Sequence, residues 1–424
     1  MSTAHAAASV RHFSEVNVMK EIPALLESWR RLCSAGGEAV LATVVKVEGS
    51  SYRSPGARML IDSNGGYIGT ISGGCLERHV VQRAWWLTTR SPAVVCRYDT
   101  GADEDAQWAF GLGCNGVVHV LLERLSPGRS NTQLEALRCA HDALRPAATA
   151  VVIDSHRCAI DVGQRLVVFP DGRRDGHLGN ATLTERVAYE LATLAREGRS
   201  ANYILPFDGG EVELFLEGIA PPPRLVVFGA GHDAVPVVHF AKQLGWHVSV
   251  ADSRAHFARP ERFPEADEVR VTTTDDPLVG LSLTGECAVV VMTHSVDQDR
   301  ELLRRLLSNP PRYVGQLGPR SRTERLLGEI GAIGAAKWDH FAEALHYPIG
   351  LDIGADNPED IALAIVGEIR AVLGNRSGAM LRHRRGTIHV RQGDDSTIAG
   401  VTTGARAVAG VGTSGRVPCD HVVM

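Results

Sequence analysis

The chain has 424 residues, enough for two or three domains at roughly 150 residues each. Its 22% charged and 44% hydrophobic residues exclude disorder of the whole chain, and its 44 basic against 49 acidic residues with 5% aromatics give no overall attraction to nucleic acid. No uncharged apolar run approaches the ~18 residues of a membrane helix, and residues 1–16 lack the apolar centre of a secretory signal, so a soluble cytoplasmic protein is expected.

In chain order, residues 1–12 read as a frayed tail. Met19, Ile22, Leu25, Trp29 and Leu32 recur at spacings of three and four, one face of a helix. Pro23 puts its regular start near Ile22, and Gly36-Gly37 stops it. Residues 39–47 form a β-branched run that reads as a buried strand. The loop 48–58 leads to a strand at 59–61, a turn at 63–66, and a segment running into Gly73-Gly74-Cys75. Helices are expected at 76–87, 131–145 and 182–197, and strands at 94–99, 117–125, 149–153 and 166–169, before the segment EVELFLEGI. The triplet Pro221–Pro223 marks an expected boundary, since proline continues neither kind of element.

Beyond it the pattern alternates. Strands read at RLVVF, 247–252, 288–293 and 313–318, and helices at 234–244, 299–308, TERLLGEIG and 358–373. That alternation implies a parallel sheet with helices on both faces. The expected architecture is an α+β domain over 13–220, a Rossmann-like α/β domain over 224–375, and a flexible tail over 377–424.

Gly229-Ala-Gly231-His232-Asp-Ala234 fits the dinucleotide pattern GxGxxG/A between a strand and a helix. Gly229 permits the turn, Gly231 admits a pyrophosphate, and Ala234 lets the helix approach the strand. Asp252 ends the next strand, where a ribose hydroxyl would be held. An NAD(P) site, a phosphate or pterin site using Arg254, and a turn that binds neither all fit the pattern. His232 either faces the ligand or caps the helix.

The eight cysteines are too sparse for a disulfide scaffold, and no CxxC or HExxH spacing supports zinc. Cys75 follows two glycines at a helix start, where amides stabilise a thiolate. Cys114 lies in a second glycine-rich turn, GLGCNG. The plainer reading of either is a small buried hydrophobe; Cys33, Cys96, Cys139, Cys158 and Cys287 are read as packing. Arg53 and Arg58, in SSYRSPGARM, suit an anionic group or a solvated hairpin.

After later strands come His294, Asp297 and Asp299, then Arg320 and Arg322. The carboxyl ends of strands are where an open α/β sheet binds ligands, although Asp297 or Asp299 also suits a helix cap. Asp356 or Asn357, followed by Pro358, caps the last strong helix, which leaves Asp352, Gly350 and Gly354 as candidates beside it.

Together GSSYRSPGARMLI, GTISGGCLE, GLGCNG, LVVFGAGHDA, VADSR, ERFPEAD, MTHSVDQD, YVGQLGPRSR and HYPIGLDIGADNPEDIALAIVGEI resemble the XdhC/CoxI family of accessory factors for molybdenum hydroxylases. The resemblance runs over about residues 20–373. It implies a cofactor-insertion chaperone rather than an ordinary enzyme. Such a protein binds molybdenum cofactor (molybdopterin) as cargo, protects it, supports its sulfuration with a cysteine desulfurase, and delivers it to a xanthine dehydrogenase-type hydroxylase. It also implies a homodimer. By this resemblance Cys75 and Cys114 are thiol ligands or sulfur relays, with Cys75 the candidate molybdenum ligand or persulfide carrier. Arg53, Arg58, Gly73, Gly74, Gly229, Gly231, His232, Ala234, Asp252, Arg254, His294 and Asp352 then form the cofactor-binding set. Asn115 replaces a glycine of the family's usual GLGCGG. The competing reading is an NAD(P)-dependent oxidoreductase, against which stands the lack of a Tyr-xxx-Lys relay after the glycine loop.

Overall fold

The computed structural model describes residues 9–13, 21–49, 51–99, 116–129, 131–281, 283, 286–331 and 337–385. Up to the proline triplet the elements are β1 (Ser9–Phe13), α1 (Glu21–Ser34), β2 (Ala39–Gly49), β3 (Arg58–Asp62), β4 (Tyr67–Gly69), α2 (Cys75–Leu87), β5 (Ala93–Asp99), β6 (Gly116–Leu125), α3 (Thr132–Ala143), β7 (Ala147–His156), β8 (Arg165–Val168), β9 (Arg174–His177), α4 (Ala181–Glu197), β10 (Ser200–Phe207) and β11 (Gly210–Ile219). After it come β12 (Arg224–Phe228), α5 (Ala234–Gln243), β13 (His247–Asp252), β14 (Glu268–Val271), β15 (Cys287–Val291), α6 (Val296–Ser308), β16 (Tyr313–Gln316), α7 (Arg320–Glu329), α8 (Trp338–Ala344), β17 (Leu345–His346) and α9 (Pro358–Leu373).

The first half holds two antiparallel sheets, ordered β4-β3-β2-β6-β5 and β1-β10-β11-β7-β8-β9. Val45, Leu121, Val151, Ile153 and Phe215 pack where β2 and β6 meet β7 and β11. Helix α2 covers the far face of the first sheet through Leu76, Val80 and Ala84, and α4 covers the second through Leu183, Val187 and Leu191.

The second half is a parallel sheet ordered β14-β13-β12-β15-β16-β17. Counted from β12 this is 3-2-1-4-5-6, the doubly wound order whose reversal lies between β12 and β15. The β12 side chains divide between the two faces: Leu225 and Val227 join α5 and α9, while Val226 and Phe228 join α6, α7 and α8. Strands buried on both faces explain why 287–291 reads as an unbroken apolar run. Cys287 belongs to that packing, its thiol pushed up to about 12 by burial.

Three expectations change. Residues 9–13 are not a frayed tail: they pair with β10, whose outer row of peptide groups needs partners. Helix α6 starts at Val296 because the Ser295 hydroxyl caps it by accepting from Gln298 N–H, so neither Asp297 nor Asp299 is the cap. Helix α7 starts at Arg320, just after Pro319. In α9 the Asn357 side chain accepts from the Asp360 amide at 2.9 Å and Pro358 occupies the first turn, in agreement with the sequence pattern. Beyond residue 385, the expected tail lies outside the described residues.

Candidate functional site

Two glycine loops carry the chemistry the sequence suggested. In the first, β4 leads through Thr70–Gly74 into α2, whose first residue is Cys75. Gly73 has φ +96, and a Cβ there would lie 2.9 Å from the ring of Tyr52, so the segment around Tyr52 lies directly on the loop. Glu77, three residues after Gly74 and 1% exposed, gathers the loop around its carboxylate. Its Oε1 accepts from the amides of Ile71 (2.9 Å), Ser72 (2.8 Å) and Gly73 (3.1 Å) and from the Thr70 hydroxyl (2.5 Å). Its Oε2 accepts from the Gly74 amide (2.8 Å) and the Ser72 hydroxyl (2.6 Å). Burial opposes ionisation, but these hydrogen bonds outweigh it and hold the carboxyl at about 2.

This changes the reading of Gly73 and Gly74. Both are exposed, but their amides already serve Glu77 and form no open cradle for phosphate. A carboxylate at the helix start also offsets the dipole that the sequence offered to a thiolate. Cys114 and its GLGCNG turn lie outside the described residues, apart from Gly116.

The arginines are engaged elsewhere. Arg53 donates to Glu21 of α1 at 2.6 Å. Arg58 is 2% exposed and forms a two-pronged ion pair with Glu217 of β11, with Nη1 2.9 Å from Oε1 and Nη2 on Oε2. It also donates to the Gly56 carbonyl at 2.6 Å. Neither is a free anion hook on the cysteine loop; Arg58 joins the two antiparallel sheets instead.

The second loop joins β12 to α5 at the topological switch point. Gly229 has φ +111, and a Cβ there would come within 2.3 Å of the Met292 carbonyl oxygen, so only glycine fits. Ala234 is fully buried against the strand, as expected. Asp252 is also buried, but its carboxylate is committed. Oδ2 accepts from the Ala230 amide (2.7 Å) and Arg254 Nη2 (2.8 Å), and Oδ1 from the Arg254 amide (2.8 Å) and Nε (3.0 Å). Burial works against its charge, and the Arg254 and Ala230 donors more than compensate, leaving its pKa below the ordinary aspartate value. Both oxygens of the Asp252 carboxylate are thus engaged by the Arg254 guanidinium.

Asp233, which the sequence reading passed over, lies against the second glycine of the loop. A Cβ on Gly231 would meet Asp233 Oδ1 at 2.4 Å, so that carboxylate covers the face where a pyrophosphate would approach. Asp233 Oδ2 lies 3.0 Å from His294 Nε2, and His294 holds φ +60 on the loop after β15. His232 is exposed. Gly229, Gly231, Ala234, Asp252, Arg254 and His294 therefore form one cluster, in which Asp252 pairs with Arg254 and Asp233 lies against Gly231.

The remaining candidates separate. Asp299, 1% exposed, accepts from the Thr293 hydroxyl (2.5 Å), Gln316 (2.9 Å) and Arg322 (2.5 Å), a buried knot that fixes the loop bearing His294. Burial raises its pKa against the pull of those donors. Asp297 is exposed and pairs with Arg300, Arg320 lies over Tyr347, and Asp352 is exposed. The amide of Gly350 donates to Glu368, so it closes a turn. Among the described residues no hydrogen bond or ion pair joins Thr70–Gly74 to Gly229–Asp233. Glu77 was detectable as the third residue after a glycine cap, and Asp233 as a carboxylate inside a phosphate-type loop.

Comparison with known proteins agrees with this architecture. Residues 225–369 match the family described as XdhC Rossmann domain, and residues 32–99 the XdhC and CoxI family. The chain is 34% identical over 333 residues to a Bacillus subtilis (strain 168) protein named as a probable subunit of xanthine dehydrogenase, covering 78% of this chain and 92% of that one. It is 23% identical over 342 residues to the Escherichia coli (strain K12) molybdenum cofactor insertion chaperone PaoD, covering 80% and 84%. A crystal structure titled as a xanthine dehydrogenase from Bacillus halodurans superposes with a TM-score of 0.66 at 29% identity, covering 83% of this chain and 96% of that one. The chain belongs to the XdhC and CoxI family.

Proposed function

We propose that this chain is an accessory factor that binds molybdenum cofactor as cargo and delivers it to a xanthine dehydrogenase-type molybdenum hydroxylase. In this reading it works in the cytoplasm as a homodimer, protects the cofactor, and supports its sulfuration with sulfur from a cysteine desulfurase. Family membership and the name of the PaoD relative support the carrier role. The observation that carries it to a residue is the Glu77-centred loop. Six donors lock Thr70–Gly74, so two exposed glycines run straight into Cys75 at the start of α2.

A cysteine at that position of the chain suits a soft metal or a sulfur carrier. Gly74, with nothing within 4 Å of where a Cβ would stand, leaves room close to the chain beside Cys75, and Glu77 holds the loop in shape. Against the alternative NAD(P) reading stand the Asp252 carboxylate's pairing with Arg254 and the Asp233 carboxylate beside Gly231.

The test is cofactor binding by purified protein, measured as retained molybdenum after ultrafiltration. Wild type is expected to bind stoichiometrically, and Cys75→Ala at least tenfold more weakly with its fold intact by circular dichroism. A folded wild type that retains no molybdenum overturns the carrier reading.

A further inference from the structure

A cavity lies on the opposite edge of the parallel sheet from the glycine loop, at the amino ends of its strands. Gly229, Asp252 and His294 lie at carboxyl ends; this cavity instead takes Arg224, which opens β12, with Glu286 just before β15 and Arg312 just before β16. From the first half come Arg58 and Glu217, the end of α4, and the linker Pro221–Pro223. Its volume is about 470 Å³, within the ~300–1,000 Å³ of small-molecule sites.

Its charge is unbalanced. Each lining carboxylate is already paired: Glu217 with Arg58, Glu286 with Arg312, and Glu197 with Arg199. Arg196, Arg224 and Arg370 line the same cavity with no carboxylate partner among the described residues. Arg196 and Arg370 lie in the last turns of α4 and α9, and those helix ends explain part of their presence. A helix C-terminus carries only about half a negative charge, so the two ends offset about one of three guanidiniums. About two positive charges remain, close to the ~1.5–2 negative charges of a phosphate monoester. Two of the lining arginines, Arg58 and Arg224, also carry a buried Nε that lacks an acceptor. Ile22, Leu137 and Leu373 supply apolar wall for an organic body.

We infer that this cleft binds an organic phosphate monoester of mononucleotide size, its phosphate held by Arg224, Arg370 and Arg196. The cargo's phosphorylated pterin and a free nucleotide share that chemistry. The site stands apart from Cys75 and does not depend on the carrier reading.

The experiment is calorimetric titration of the full chain with AMP, adenosine, and the oxidised pterin of molybdenum cofactor with and without its phosphate. One or both phosphorylated compounds should bind one per chain, and the dephosphorylated forms at least tenfold more weakly. Arg224→Ala and Arg370→Gln should each weaken binding at least tenfold, while Arg174→Ala on the outer surface leaves it unchanged. Circular dichroism and gel filtration check the fold, and Arg370→Gln keeps most of the side chain's length. Binding of AMP alone assigns the cleft to nucleotides, and of the phosphopterin alone to the cargo; either supports the site. No binding by either phosphate, or affinities untouched by both arginine changes, overturns it. Molybdenum cofactor retained by both variants with unchanged phosphate affinity overturns this inference and leaves the carrier reading standing. Phosphate-dependent AMP binding without cofactor retention does the reverse.

Discussion

The loops at Thr70–Gly74 and Gly229–Asp233 look alike in sequence: each follows a strand, contains two glycines and opens a helix. They differ in which acceptor meets their amides. At the first, a carboxylate from the helix itself, Glu77, takes four amides and two hydroxyls. At the second, Asp252 from the neighbouring strand takes one of the loop's amides besides the amide and guanidinium of Arg254, while Asp233 lies against Gly231. Glycine spacing marks where a chain permits close approach. The nearest buried acceptor decides whether a ligand or the protein itself makes that approach.

The comparison is broken most forcefully at Glu77. Replacing it with alanine leaves its donors unmet, and we expect a loss of roughly 3–5 kcal/mol in guanidinium unfolding. A loss below about 1 kcal/mol would mean that the loop holds its shape without the carboxylate.

The pH dependence follows from the same group. Its folded-state pKa is depressed from 4.5 to about 2, so its contribution is fully present above 4.5 and is lost as pH falls towards 2. The full contribution is on the order of 3 kcal/mol, with more than half gone by about pH 3. Unfolding midpoints at pH 7 and pH 3 should therefore differ less in Glu77→Gln than in wild type.

At the second loop, Gly229→Ala forces a Cβ against the Met292 carbonyl at φ +111. A cost of about 2 kcal/mol is expected, read as a lower melting temperature. The smallest effect sharpens the contrast: Asp233→Ala removes a negative charge from Gly231 at a stability cost within about 1 kcal/mol. If Asp233 blocks the dinucleotide, NADH affinity, read by fluorescence titration, should rise about fivefold. An unchanged titration would place the block at Arg254 alone.

Much of the parallel sheet was legible because β12, β13 and β15 are buried on both faces and α9 carries its own cap and proline. Strand β10 was not, since Asn202 and Pro206 interrupt its apolar pattern, and β14 and β17, of four and two residues, are too short to show a period. The candidate site was legible as a set of residue types but not as a set of pairings. Arg58 reads as an anion hook because its partner, Glu217, lies 159 positions away. Glu77 reads as one charge on a helix because the amides it gathers belong to the loop before it. Local patterns expose glycine turns and caps; they do not reveal which charge a distant strand will neutralise.

The Arg58–Glu217 pair has a consequence for how the first half opens. It joins β3 to β11, and Lys46 of β2 meets Glu213 of β11 at 2.9 Å while Asn202 of β10 donates to the Val45 carbonyl at 3.0 Å. Parting the sheets strands a buried charge on each side, so fraying one without the other gains little freedom for a large electrostatic loss. The two sheets therefore open as one cooperative unit, and amides of Met59–Ile61 and Leu214–Leu216 should share one protection free energy in hydrogen exchange.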